Sequence, residues 1–153
     1  MKGLLKIIVA PGNYGRSADI GLLIARVSTG SMMLFAHGWG KLANYGERVS
    51  SWADPIGLGS EVSLTLAVFA EFFCSLALIF GLGTRAAAIP LLVTMLVAAL
   101  IVHTNDPWAK QELPLLFATV FVLLILAGPG RISVDNWLAR KLNGGSSGID
   151  VSA

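Results

Sequence analysis

Four side chains in this sequence, His37, Lys41, Glu71 and His103, can carry a proton or a charge while lying in or beside long apolar runs. Glu71 sits near the middle of the run Leu64 to Gly83, LTLAVFAEFFCSLALIFGLG. A carboxylate at mid-depth in a bilayer costs at least a few kcal/mol unless it faces a partner or a wet cavity, so Glu71 is the first candidate for proton or charge chemistry. On the preceding run Arg26, Gly30, Met33, His37 and Lys41 are spaced by four, three, four and four residues, which keeps them within one stripe of a helix. If the two runs are antiparallel, Arg26 and Glu71 differ in depth by roughly one turn, and the long arginine is expected to pair with Glu71. Such a pair either fixes helix register or also lines a site. His37 lies three turns beyond Arg26, roughly 16 Å further out, and His103 at the outer end of the third run falls at nearly the same level. The chain has only these two histidines. An imidazole titrating near 6.5 can pass a proton at neutral pH, although an amphipathic ring also suits the wet rim of a membrane protein.

Two histidines on facing helices would also suit a haem or a metal ion. A closed metal site needs further ligands, and none stands nearby in the sequence, so neither metal nor haem is expected. Met33 reads as packing that could touch a ligand, and the lone Cys74, which excludes an intramolecular disulfide, reads as an apolar filler. There is no GxSxG, phosphate loop, HExxH or zinc spacing. Chemistry here would act on something small and apolar, reached through the bilayer or the outer loops.

The elements that position these residues follow from hydropathy. With 55% hydrophobic and 13% charged residues and a mean hydropathy of +0.74, the 153-residue chain reads as an integral membrane protein. Four segments of near-spanning length are expected, at about Ile20 to Trp39, Val62 to Gly81, Ala86 to Thr104 and Leu113 to Gly128. Gly38, Gly40 and Asp54-Pro55 serve as breakers after the first, and Pro114 falls in the first turn of the fourth. Residues 1–19 form an N-terminal segment, retained rather than cleaved, in which Lys2 to Ile8 read equally as a short helix on the membrane surface or as a disordered extension. Residues 20–130 form the transmembrane domain, and 131–153 a tail, disordered after Leu142. The fold class is all-α, an integral membrane four-helix bundle with up-down topology. Of the loop basic residues seven fall on the terminal side (Lys2, Lys6, Arg16, Arg85, Arg131, Arg140, Lys141) and three on the other (Lys41, Arg48, Lys110), so both termini are expected in the cytoplasm. The net charge of +2 and the absence of a Lys/Arg run exclude nucleic acid as a partner.

Arg26 with HGWGKLANYG, then AEFFCSLALIFGLGTRAAAIPL, His103 and LAGPGRISVDNWL together resemble the DoxX family of small four-helix membrane proteins. The resemblance spans about residues 20 to 138, with Ser133-Val134-Asp135 similar to the family's S-L-D ending. It implies a four-helix bundle in the cell (inner) membrane and a link to membrane redox chemistry, as in the small subunit of thiosulfate:quinone oxidoreductase. Assembly factors, chaperone-like and cargo-sorting proteins belong to the wider superfamily, so kinship alone does not settle activity.

Joined to the residue reading, this gives a membrane redox protein or subunit that is quinone-linked, whether or not it is catalytic alone. His37 and His103 would hydrogen-bond a quinone carbonyl and exchange a proton, Lys41 would act at the mouth, and Glu71 with Arg26 would set the field below, with Met33 beside the ring. The alternatives are a non-catalytic docking or assembly subunit for a membrane or redox partner protein, and a small-solute carrier.

Overall fold

A computed structural model of the chain describes residues 15–144. The expected surface segment Lys2 to Ile8, and the tail from 145 onward, lie outside the described residues. The described residues contain only helices: α1 (Arg16–Ala43), α2 (Tyr45–Arg48), α3 (Ser60–Phe80), α4 (Thr84–Val102), α5 (Trp108–Ala127) and α6 (Val134–Gly144). Helices α1, α3, α4 and α5 are each long and apolar enough to cross a membrane. Phe35, Phe73, Phe80, Leu116 and Leu126 on these spans are exposed, as lipid-facing side chains are.

Helix α1 begins at Arg16, four residues before the expected start, and two further boundaries differ from those expected. Helix α1 runs on to Ala43, so Gly38 is inside a helix rather than in a linker. A methyl group there would meet the carbonyl carbon of Glu71 at 2.6 Å, so the missing side chain lets α1 rest on the backbone of α3. Helix α5 begins at Trp108, so Pro114 lies in its second turn, buried, where its missing N–H leaves the Lys110 carbonyl without an intrahelical donor. The turn after Pro107 starts the helix instead.

Helices α1 and α3 run antiparallel: moving along α1, Arg26 lies against Gly81, Gly30 against Ser75 and Ile79, and Gly38 against Glu71. Helix α5 pairs with α4 along its length. Met33, Leu78, Leu91, Met95, Phe121 and Leu124 fill the space among the four, and Cys74 is buried with them as expected.

The end of the bundle carrying Gly81 and Gly128, here the terminal end, is closed by the segment after α5. The Asp135 carboxylate is fully buried and accepts from Gly83 N at 2.6 Å and Thr84 N at 2.9 Å, satisfying orphan donors at the start of α4. Asp19 accepts from Arg131 N at 2.9 Å, and Asn136 Nδ2 donates to Arg131 O at 2.6 Å. Residues 131–136, read from sequence as the start of a tail, are bonded into the bundle.

Arg26 belongs to this end as well. It is buried, its Nη2 donates to Ile132 O at 2.6 Å, and Asp135 attracts it electrostatically. The expected pair with Glu71 is absent. The cause is register: Gly38, twelve residues beyond Arg26, is the α1 residue level with Glu71, so the two backbones lie roughly three turns apart rather than one, and the tilt of Cα–Cβ bonds toward each helix's own N-terminus leans the side chains further apart. Arg26 leans to the terminal end, and Glu71 leans to the other. Gly81 at φ +68° completes the seat, because a methyl group there would fall on the guanidinium and within 2.7 Å of Ser133 Cβ.

A polar-ended cavity at the loop end

The same tilt selects the partner Glu71 does have. Lys41, near the C-terminus of α1, leans back along its helix and donates to Glu71 Oε2, with the two side chains 16% and 4% exposed. Gly38, one turn before Lys41, holds the backbones close enough for this contact. A buried ammonium and carboxylate each cost several kcal/mol to desolvate alone, so their pairing decides whether either is tolerated. Lys41 Nζ also lies 5.6 Å from the Trp52 ring centroid, within cation–π range.

His37, Lys41, Glu71 and His103 all line one cavity of about 710 Å³. Its apolar walls come from Leu66 and Ala67 of α3, Val93, Met95 and Val97 of α4, and Leu113 and Phe117 of α5, with Trp52, Pro55 and Ile56 of the α2–α3 loop at one end. Pockets of roughly 300–1,000 Å³ with apolar walls and a few convergent polar groups are the usual form of a small-molecule site.

Each of the first three spans departs from α geometry where it meets this cavity. Leu34–Gly38, Phe69–Cys74 and Ala98–Val102 are π turns, the first holding His37, the second Glu71, and the third ending against His103, whose N–H bonds Ala98 O at 2.9 Å. A π turn adds a residue to the turn and re-aims the side chains beyond it, and such turns concentrate at functional sites.

Polar neighbours fix the orientation of His103. Its Nδ1 is 2.7 Å from Asp106 Oδ2, and Lys110 Nζ is 3.3 Å from the other carboxylate oxygen. These two hydrogen bonds, His103's first, hold the Asp106 carboxyl below its ordinary pKa of 3.8. With Nδ1 committed to Asp106 the neutral ring carries its proton there, and Nε2 is left to accept one.

Of the residues expected at a site, the structure brings His37, Lys41, Glu71 and His103 together and places Arg26 and Met33 elsewhere. Met33 is fully buried in the core, and Arg26 closes the terminal end. Sequence reasoning missed Asp54, which accepts from Leu58 N at 3.0 Å, Gly59 N at 2.7 Å and Ser63 Oγ at 2.6 Å and so latches the loop carrying Trp52, Pro55 and Ile56. Its signal was an Asp-Pro step six residues before a helix opening in Ser60. Asp19 and Trp52 were missed as well. No group of three or more His, Cys, Asp or Glu side chains able to hold a metal ion occurs among the described residues.

Four spanning helices around one polar-ended cavity define a small multi-pass membrane protein. The chain belongs to the DoxX family, whose model matches residues 21–104, a range that includes His37, Lys41, Glu71 and His103. It is similar to the inner membrane protein YqjF of Escherichia coli (strain K12), at 31% identity over 127 residues that cover 80% of this chain and 95% of that protein. No solved structure matches it.

Proposed function

We propose that this protein is a quinone-linked membrane redox protein or subunit, with the loop-end cavity as the quinone seat. The observation that carries this reading is the convergence of His37, Lys41, Glu71 and His103 on one largely apolar cavity. A quinone bound there would take up two electrons from a redox partner protein and two protons for each turnover. The chain's part is to hold and protonate the ring's carbonyls. Lys41 supplies a charge-assisted donor whose charge Glu71 balances, and His103, oriented by Asp106, presents Nε2 for proton exchange. His37 offers a second imidazole to the cavity from the α1 side. The walls exclude water and accommodate an apolar ring.

Binding of a quinone analogue to the purified protein tests this. Loss of one charge-assisted hydrogen bond is worth about 1.5–3 kcal/mol, so His37→Ala and His103→Ala should each weaken binding roughly ten- to hundredfold. Leu123→Ala, at an exposed position on α5, should not. Absence of binding by the parent protein would favour the docking-subunit reading.

The same proposal places the chain in the inner membrane, as its relative's name suggests, with both termini in the cytoplasm by the distribution of loop lysines and arginines. Impermeant thiol labelling of intact cells checks the orientation. Reaction of S147C without reaction of S50C would invert it.

A further inference from the structure

We propose that the cavity is filled from within the bilayer, through an opening between α3 and α4, by a single-chain amphiphile whose tail leaves past Leu66 and Val93. The inference rests on the cavity being the ligand site, but not on the ligand being a quinone.

The opening follows from where α3 and α4 touch. Helix α4 packs on α3 through Phe69–Cys74 and Ser75–Phe80, whereas the Ser60–Val68 half of α3 packs on Trp39–Ala43 of α1. Above Phe69 the cavity occupies the space between α3 and α4, with Leu66 and Ala67 on one side and Val93, Val97 and Ala98 on the other. Counted from the short turn joining these helices, Glu71 lies nine residues before Phe80 and Val93 nine residues after Thr84, which puts both at roughly 13 Å, near mid-membrane. Leu66 and Val93 line the cavity and are also 47% and 54% exposed, so they form its rim. Leu66, fourteen residues before Phe80 and so at roughly 21 Å, and Val93 both fall within a hydrocarbon core of about 30 Å, so the medium beyond the rim is hydrocarbon.

The polar groups are set back from this rim. His37 and Lys41 come from α1, which rests on the Glu71 backbone through Gly38, and His103 from the loop end of α4. Thr94, the polar residue beside Val93, spends its hydroxyl on Pro90 O at 2.9 Å. The path from rim to polar end is therefore apolar. Toward the water side, Asp54 latches the loop that carries Trp52, Pro55 and Ile56 over the other end of the cavity. The occupant this geometry fits has an accepting head for His37 and Lys41 and an alkyl tail in the lipid.

The test uses the full chain in phosphatidylcholine nanodiscs and two photoreactive probes with a diazirine in the tail, a decyl quinone and a long-chain alcohol without the ring. Labelled residues are mapped by peptide mass spectrometry, counting only labelling displaced by an excess of the same probe without the diazirine. The expected result is displaceable labelling of Leu66, Ala67, Val93 and Val97, with Phe80 and Leu123 labelled only indiscriminately. In the L66W/V93W variant, which fills the opening from two exposed positions, the displaceable fraction should fall to background. The map of the parent protein stands as a test even if that variant does not fold. Displaceable labelling confined to 52–56 and 109–113 would mean access from the water side and would overturn the proposal. So would cross-links to a second copy of the chain, or no displaceable labelling by either probe. Labelling of the rim by the alcohol alone would uphold the opening and sink the quinone reading.

Discussion

Gly38 lies against the backbone of Glu71 with no room for a side chain, and this contact sets the distance between α1 and α3 at the level of the cavity. The ion pair in the site depends on it, because Lys41 reaches Glu71 from one turn further along α1.

Gly38→Ala should therefore destabilise the protein by about 1–3 kcal/mol, the usual range for overpacking against backbone that cannot move aside. Gly40→Ala, where an added methyl meets nothing within 4 Å, should be neutral or slightly stabilising. Thermal unfolding in detergent measures both. Equal midpoints for the two variants would show that the helices part without cost.

Lys41 and Glu71 should show strong coupling, and Arg26 and Glu71 none. Removing one member of a buried pair strands a charge and costs about 3–5 kcal/mol, whereas replacing both with Met and Gln is far milder. A double-mutant cycle on K41M and E71Q should give a coupling of at least about 1 kcal/mol, while R26M and E71Q should add. Additivity in the first cycle would sink the pairing.

Asp135→Ala should leave the N–H groups of Gly83 and Thr84 without their acceptor, at about 1–3 kcal/mol for the buried Thr84 group and less for the half-buried Gly83. Limited proteolysis of the detergent-solubilised protein should then cut the Gly128 to Val134 segment, which resists in the parent. Unchanged resistance would mean that this segment is held without Asp135.

Acid should release the His103 support. Asp106 has its carboxyl pKa depressed by the folded state, so its stabilising effect is present above the ordinary value of 3.8 and is lost as pH falls through the lower folded value. Carboxyl carbon chemical shifts should show an Asp106 midpoint below 3.8, returning toward it in His103→Ala. A midpoint at or above the ordinary value in the parent would contradict the hydrogen bonds to His103 and Lys110.

The spans and the candidates His37, Lys41, Glu71 and His103 were legible in the sequence because they depend on one-dimensional facts. Twenty apolar residues are a span wherever they occur, and a carboxylate within one needs company. The identity of that company was not legible. Depth counted from the span ends put Arg26 and Glu71 within reach, whereas the register of the two helices sets Gly38 and not Arg26 against Glu71, and the direction in which side chains leave antiparallel helices widens that gap. Gly38 reads as a breaker in sequence and acts as a packing surface, since what a glycine does depends on the neighbour's backbone. The π turns at His37, Glu71 and before His103 leave no mark in composition, because a helix widens there in response to packing. Asp135 was noticed only through the S-V-D ending, with nothing in its local sequence to reveal that Gly83 and Thr84, about fifty positions earlier, depend on it.

That dependence gives the protein an order of assembly. On the ribosome α1, α3 and α4 emerge and are handed to the membrane before residue 135 is translated. Until then the first amides of α4 lack their acceptor, and Arg26, already held between helices, lacks the Ile132 carbonyl and the nearby carboxylate. The bundle closes after the last span has been inserted, from the side on which the nascent chain's end remains. A translation product stopped after Ala127 would carry all four spans and none of their lock.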